Sequence, residues 1–402
     1  MRSSTVRLAV VLLALVSMLA VGCVQKKPEA TPGAAPQPPA APAAKPEVPK
    51  TIKIGNAGAL TGGPAQLGTW VKKGVQLAIE EANKAGGING VMIELVAMDD
   101  RADPKEAAAI ANMFVSDPTV VAVVGHLNSS CTLASAPIYN KGGLVQITAT
   151  SSSPKVTEAG PYTFRVCNTD EHNVRFNVQL LIDEGYKKIG ILYENNDYGR
   201  GGYDVAVKTL EKAGIRPVSA ESFMLDETKD FGTIIAKFRK AGATAIYGHL
   251  DQSDLALFMK QCHAVGYKPQ LVGAGVYNPD VIRLGGKAME GAIGNAMFHP
   301  DNIRPSLKAF FDKYANRYKG DGSSVEPNVI APAGYDAAMM IIEALKKSGV
   351  SREGVKNYLT NLKDFDGALG KLSFDENGDT VVPTIYVQVK DGKFVEYTPK
   401  KK

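Results

Sequence analysis

The chain has 402 residues, 45% of them hydrophobic and 22% charged, with a formal net charge of +5. That length supports two domains or one large one, and the composition is that of a globular protein rather than a disordered or fibrous one. Residues 1–50 hold six Lys/Arg against two Asp/Glu, so the remaining 352 residues are close to neutral and lack the basic face a nucleic-acid partner would require.

Arg2 and Arg7 flank the start of an apolar stretch over 8–21, too short to span a membrane comfortably and with the charge asymmetry of an export signal. It ends in Leu19-Ala20-Val21-Gly22-Cys23, which resembles the cleavage box of bacterial lipoproteins, although Ala20 stands where leucine is more usual. The resemblance implies a signal peptide over 1–22 and a diacylated Cys23 that tethers the chain to a membrane. An ordinary secretory peptide or an uncleaved anchor is the alternative. In 24–50, 15 of 27 residues are Pro or Ala. Such a segment has little to bury and stays extended, so 23–50 reads as a spacer of on the order of 3 Å per residue. The other cysteines, Cys131, Cys167 and Cys262, are far apart and odd in number, which predicts free thiols or one pair plus a free thiol.

The body opens with a strand at 51–57 and a Gly/Pro turn cluster at 58–64. Val71, Val75, Ala78, Ile79 and Ala82 recur at helical spacing over 69–85, and Gly86-Gly87 stops that helix. A strand at 91–98, a helix at 103–115 capped by Asp103 with Pro104 in its first position, and a strand at 120–124 follow. A helical segment and an apolar run at 144–147 come next. Strands and helices then alternate through 189–193, 203–213, 215–219, 230–241, 244–248, 253–265, 270–274, 305–319 and 335–348, with a late strand at 384–389. This alternation predicts an α/β protein with parallel sheets and helices on both faces.

The strands at 120–124 and 144–147 each run into a hydroxyl-rich loop, Asn128-Ser129-Ser130 and Thr148-Ala149-Thr150-Ser151-Ser152-Ser153. Adjacent parallel strands deliver such loops to one edge, where ligands bind. Free N–H groups at a helix start with serines beside them suit an anionic group such as a carboxylate. These residues equally serve as helix caps and turn formers.

Enzymatic signatures are missing. Gly55, Gly58, Gly62 and Gly63 do not form G-x-G-x-x-G, and the next acidic pair, Asp99-Asp100, lies too far on for a dinucleotide site. No P-loop, zinc motif or nucleophile elbow occurs, so no cofactor or metal is expected. Histidines 126, 172, 249, 263 and 299 stand beside no obvious nucleophile and are read as structural or surface residues.

Over 51–397 the chain resembles the type I periplasmic solute-binding proteins of the branched-chain amino acid group. The matching segments are IKIGNAGALTG from Ile52, GVQLAIEEANKAGGING from Gly74, MDDRADP from Met98, VGHLNSS from Val124, DYGRG from Asp197, and Asp230-Phe231. The resemblance implies two doubly wound parallel-sheet lobes joined by three crossings, the first about 51–168 plus 300–381 and the second about 169–299 plus 382–397. It implies a monomeric, extracytoplasmic receptor that closes on a small amino acid or related carboxylate and passes it to an ABC permease pair with its ATPases. A sensory module signalling to a membrane receptor is the rival.

Carried over by position, Ser129 and Ser152 would hold the ligand's carboxylate. Thr150 would offer its carbonyl to an ammonium group, with Ser151 in the same loop, and Tyr198 would close over the ligand. Packing of Tyr198 at a loop mouth is the alternative for that residue alone. Departures are informative too. Gly275 replaces the acid that pairs with the ammonium group in leucine-binding members, which leaves Asp251 to take over or a ligand without an ammonium group. Leu67 takes a place often aromatic, and Ala102 and Asn128 occupy the positions of the family's disulfide.

Overall fold

The computed structural model describes residues 50–225, 227–298, 303–321 and 328–400. The proposed signal peptide, Cys23, the spacer up to residue 49, His299 and the lobe boundary at 300 lie outside the described residues.

In chain order the first part comprises β1 (Ile52–Gly58), α1 (Ala65–Lys84), β2 (Ile93–Asp99), α2 (Pro104–Ser116), β3 (Val120–Gly125), α3 (Ser129–Lys141), β4 (Val145–Thr148), α4 (Lys155–Glu158) and β5 (Thr163–Arg165). These five strands form one parallel sheet in the order β2-β1-β3-β4-β5. β3, Val-Val-Ala-Val-Val-Gly, is buried at every position, as expected for a parallel strand covered on both faces. Asp103 caps α2 as expected, its side chain accepting from the Lys105 N–H at 2.7 Å.

The second part comprises α5 (Asp170–Asp183), β6 (Ile189–Glu194), α6 (Asp197–Lys212), β7 (Ser219–Phe223), α7 (Gly232–Lys240), β8 (Ala245–His249), α8 (Gln252–Ala264), β9 (Gln270–Gly273), α9 (Pro279–Gly285) and β10 (Ile293–Ala296). α5 is missing from the elements expected from sequence. α10 (Pro305–Tyr318), α11 (Ile330–Ser348), α12 (Arg352–Thr360) and the hairpin of β11 (Phe365–Gly367) and β12 (Gly370–Leu372) return to the first core. Ile341, Ile342 and Leu345 of α11 share that core with Trp70, Val75 and Ile79 of α1. Finally β13 (Ile385–Lys390), the late strand read from sequence, and β14 (Lys393–Tyr397) complete the second sheet. Its order is β14-β13-β10-β9-β8-β6-β7, with β6 to β10 parallel and β13 antiparallel to β10.

Each lobe is thus doubly wound, and the order reverses between β1 and β3 in the first and between β6 and β8 in the second. Ligands gather where the strand order reverses, beyond the carboxyl ends of the strands. Two of the connections between the sheets run side by side. The Asn168 side chain donates to the Val382 carbonyl at 2.8 Å and to the Thr384 hydroxyl at 3.0 Å, and accepts from the Val382 N–H at 2.7 Å.

Candidate ligand-binding cleft

A cavity of about 210 Å³ lies between the carboxyl edges of the two sheets. Its first wall is built from the loops after β3 and β4 and includes Leu67, Ser129, Thr150 and Ser152. These loops are fixed by neutral hydrogen bonds. The Thr150 hydroxyl donates to the Leu127 carbonyl at 2.6 Å, and Thr148 bonds the His126 carbonyl at 2.8 Å while accepting from the Ser151 N–H at 3.0 Å. The Ser129 oxygen accepts from the Ser153 N–H at 3.3 Å, which ties the two loops together. Underneath, the fully buried Arg165 guanidinium donates to the carbonyls of Ser151 at 3.0 Å and Ser153 at 2.8 Å, and to Asp379 at 2.7 Å. The serine loop is therefore shaped by the protein alone.

The facing wall is acidic. Glu194 at the end of β6, Asp251 at the N-cap of α8 and Asp170 at the first position of α5 all line the cavity, together with Tyr198, Asn173 and Asn295. The Glu194 carboxylate accepts from the Asp251 N–H at 2.7 Å and from Asn196 at 2.7 Å. Burial, followed by the neighbouring Asp251 charge, pushes its carboxyl well above the usual range. Asp170 is 1% exposed, and its Oδ2 has no hydrogen-bond partner among the described residues. Behind this wall the His249 ring packs at a tilt of 34° against that of Tyr198, with ring centroids 4.0 Å apart. A Cβ at residue 202 would fall 2.2 Å from the His249 ring, so Gly202 is what lets α6 approach β8.

The two lips meet. The Asp197 N–H of the second lobe donates to the Ser130 hydroxyl of the first at 3.1 Å, and a Cβ at Gly201 would sit 3.0 Å from the Ser153 hydroxyl.

Of the residues singled out in the sequence, Leu67, Ser129, Thr150, Ser152, Tyr198 and Asp251 converge on this one cavity. Ser151 does not. Its hydroxyl turns into the lobe, 2.7 Å from that of Thr132 and 3.0 Å from the Leu127 carbonyl. Gly275 lies against the backbone of residues 250–252 rather than on the cavity wall. A Cβ there would stand 2.8 Å from the Leu250 carbonyl, so an acid cannot be restored at 275 without moving that loop. Asp170, Glu194 and His249 were not anticipated. The signals for the first were the capping triplet Thr169-Asp170-Glu171 and for the second a charge ending an apolar strand. Cys131, Cys167 and Cys262 are all free and buried, which settles the choice left open by their spacing.

Residues 51–393 match the model of the family described as periplasmic binding protein. The chain belongs to that family. It is 34% identical over 336 residues to the leucine-, isoleucine-, valine-, threonine- and alanine-binding protein of Pseudomonas aeruginosa, an alignment covering 82% of this chain and 87% of the relative. It is 31% identical over 354 residues to a Leu/Ile/Val-binding protein homologue of Brucella suis biovar 1, covering 85% of this chain and 92% of that one. Among solved structures, a leucine-binding protein of Thermotoga maritima superposes with a TM-score of 0.78 at 26% identity, covering 87% of this chain and 98% of the other. The isoleucine complex of a branched-chain amino acid transporter substrate-binding protein of Streptococcus pneumoniae gives 0.76 at 26%, covering 86% of this chain and all of the other. This is a solute-binding protein of the extracytoplasmic, two-lobed kind and not an enzyme. Among the described residues no helix is long and apolar enough to cross a membrane.

Proposed function

We propose that this binding protein captures a small amino acid in the cleft and delivers it to an ABC importer while a lipid on Cys23 holds it, as a monomer, at the outer face of the membrane. The observation that carries the ligand class is the polarity of the cleft, with hydroxyls on one wall and three carboxylates on the other. A zwitterion fits that asymmetry: its carboxylate takes hydrogen bonds from Ser129 and Ser152, and its ammonium group relieves the repulsion among Asp170, Glu194 and Asp251. The Thr150 carbonyl faces the same ammonium group, and Tyr198 covers the ligand.

Asp251 answers the loss of the family acid at Gly275. Leu67, Ala149, Ile330 and Ala333 supply an apolar surface for an aliphatic side chain. A cavity of roughly 150 Å³ already holds a benzene molecule, so this one suits a molecule of amino-acid size. Relatives named for leucine, isoleucine, valine, threonine and alanine support the same class. The lobes are assigned as 51–168 plus 300–381 and 169–299 plus 382–397, hinged at the crossings that Asn168 stitches together.

Titration calorimetry of the purified protein with these five amino acids and their 2-hydroxy acid analogues tests the reading. At least one amino acid is expected to bind at least about tenfold more tightly than its analogue, the value of one charged hydrogen bond. No binding, or equal binding of both classes, overturns it.

A further inference from the structure

Asn128 stands at the N-cap of α3, where an asparagine normally turns its side-chain oxygen onto the first free N–H groups of the helix. Here the side chain makes no such bond. The backbone around it is fixed nonetheless. The Leu127 carbonyl accepts from the hydroxyls of Thr150 at 2.6 Å and Ser151 at 3.0 Å, and the Asn128 carbonyl accepts from the Thr132 N–H at 2.9 Å. From this rigid stretch Asn128 lines the cavity, as do the apolar Leu67, Leu127 and Ala149. Its Oδ1 is buried and has no hydrogen-bond partner among the described residues. An amide end shut away unpaired is costly, and a ligand group that meets it recovers that cost.

The other polar groups of the cleft are already matched to the ends of an amino acid: Ser129 and Ser152 to its carboxylate, the Thr150 carbonyl and the acidic wall to its ammonium group. What remains for Asn128 is the ligand's side chain. A hydroxyl suits it, because it both donates and accepts and so pairs with either end of the amide. We infer that Asn128 is a specificity-determining residue, which favours amino acids bearing a side-chain hydroxyl over purely aliphatic ones of the same size. This rests on the amino-acid reading of the cleft. A wholly apolar pocket strips a hydroxyl of water without return, whereas a site with a polar partner in place penalises the ligand that lacks the hydroxyl.

Threonine and valine are close in shape and differ by a hydroxyl in place of a methyl, so calorimetry with that pair isolates the effect. The wild type is expected to bind threonine roughly tenfold more tightly than valine. In Asn128→Leu the order is expected to reverse, with valine held at least as tightly as by the wild type. Asn128→Ala, which cannot crowd the pocket, is expected to abolish the preference. Both variants should keep a Tm close to that of the wild type, since the side chain they lose does not cap α3. Valine bound as tightly as threonine by the wild type, or a preference for threonine that survives in both variants, overturns the inference. So does loss of both ligands from both variants, which would make Asn128 a structural residue. Should none of leucine, isoleucine, valine, threonine and alanine bind the wild type, the cleft reading itself fails. Binding of leucine with no preference for threonine over valine sinks only the role of Asn128.

Discussion

The two walls of the cleft are made differently. The first-lobe wall is neutral at the surface and mostly bonded within the lobe: Thr148, Thr150 and Ser129 are bonded to backbone, and Arg165 pins the carbonyls behind them, while Asn128 Oδ1 and Ser153 Oγ are buried with no hydrogen-bond partner among the described residues. The second-lobe wall gathers Asp170, Glu194 and Asp251, and leaves a buried carboxylate oxygen unmatched. Fixed dipoles accept an anionic end with little reorganisation, whereas clustered carboxylates remain under electrostatic strain until a cation reaches them. One wall is a mould of fixed dipoles, and the other concentrates negative charge.

The largest effect should come from breaking the mould. Arg165→Met removes a donor from Asp379, from two carbonyls and from the Thr157 hydroxyl, and loss of one partner of a buried ion pair costs about 3–5 kcal/mol. A calorimetric scan should show a markedly lowered Tm with no amino acid present, and an unchanged Tm would mean that the loop keeps its own shape. Next, Asp251→Asn removes charge from the second wall without removing bulk. The expected loss is roughly 1.5–3 kcal/mol, about ten- to a hundredfold in Kd, and undiminished affinity would leave the ammonium group to Asp170 and Glu194 alone.

On the mould side Ser129→Ala should cost about tenfold, nearer the lower end of that range, because Ser153 already shares the hydroxyl. Its thermal stability without ligand should stay close to wild type, unlike that of Arg165→Met.

The smallest effect is a pH dependence confined to the acidic wall. Glu194 has its carboxyl raised by burial, so it gains a proton as pH falls, and the ammonium group then loses a charged neighbour. Affinity should therefore weaken as the pH falls towards the ordinary glutamate range, by no more than about tenfold per pH unit for a single group. Glu194→Gln should flatten that slope, and a slope persisting in the variant would assign the titration elsewhere.

The same contrast explains what could be read from the sequence. Ser129, Thr150 and Ser152 stood out because each follows an apolar run within a few residues, a local pattern that parallel-sheet geometry converts directly into a rim. The acidic wall has no such signature. Asp170 looks like an ordinary first-turn acid, and Asp251 was suggested only by the departure at Gly275. α5 itself escaped notice because Val174, Val178 and Leu181 are interleaved with Asn173, Arg175, Asn177 and Gln179, although Thr169 caps it through the His172 N–H. The approach of His249 Nε2 to within 3.5 Å of Asp170 Oδ1 joins two elements far apart in sequence, and no local pattern records it. Ser151 and Gly275 show the opposite error. Their neighbours in sequence face the cavity, but a one-residue step turned the first inward and a close backbone approach removed the second from the wall.

At the mouth, the Asp197 N–H donates to the Ser130 hydroxyl across the lips. A link of that kind contributes about 0.5–1.5 kcal/mol, enough to favour the shut form only severalfold. Such a latch by itself is too weak to keep an empty receptor closed for long, which leaves a large part of the closing force to the cargo. A transporter that inspects the outline of its courier would then seldom mistake a vacant one for a loaded one.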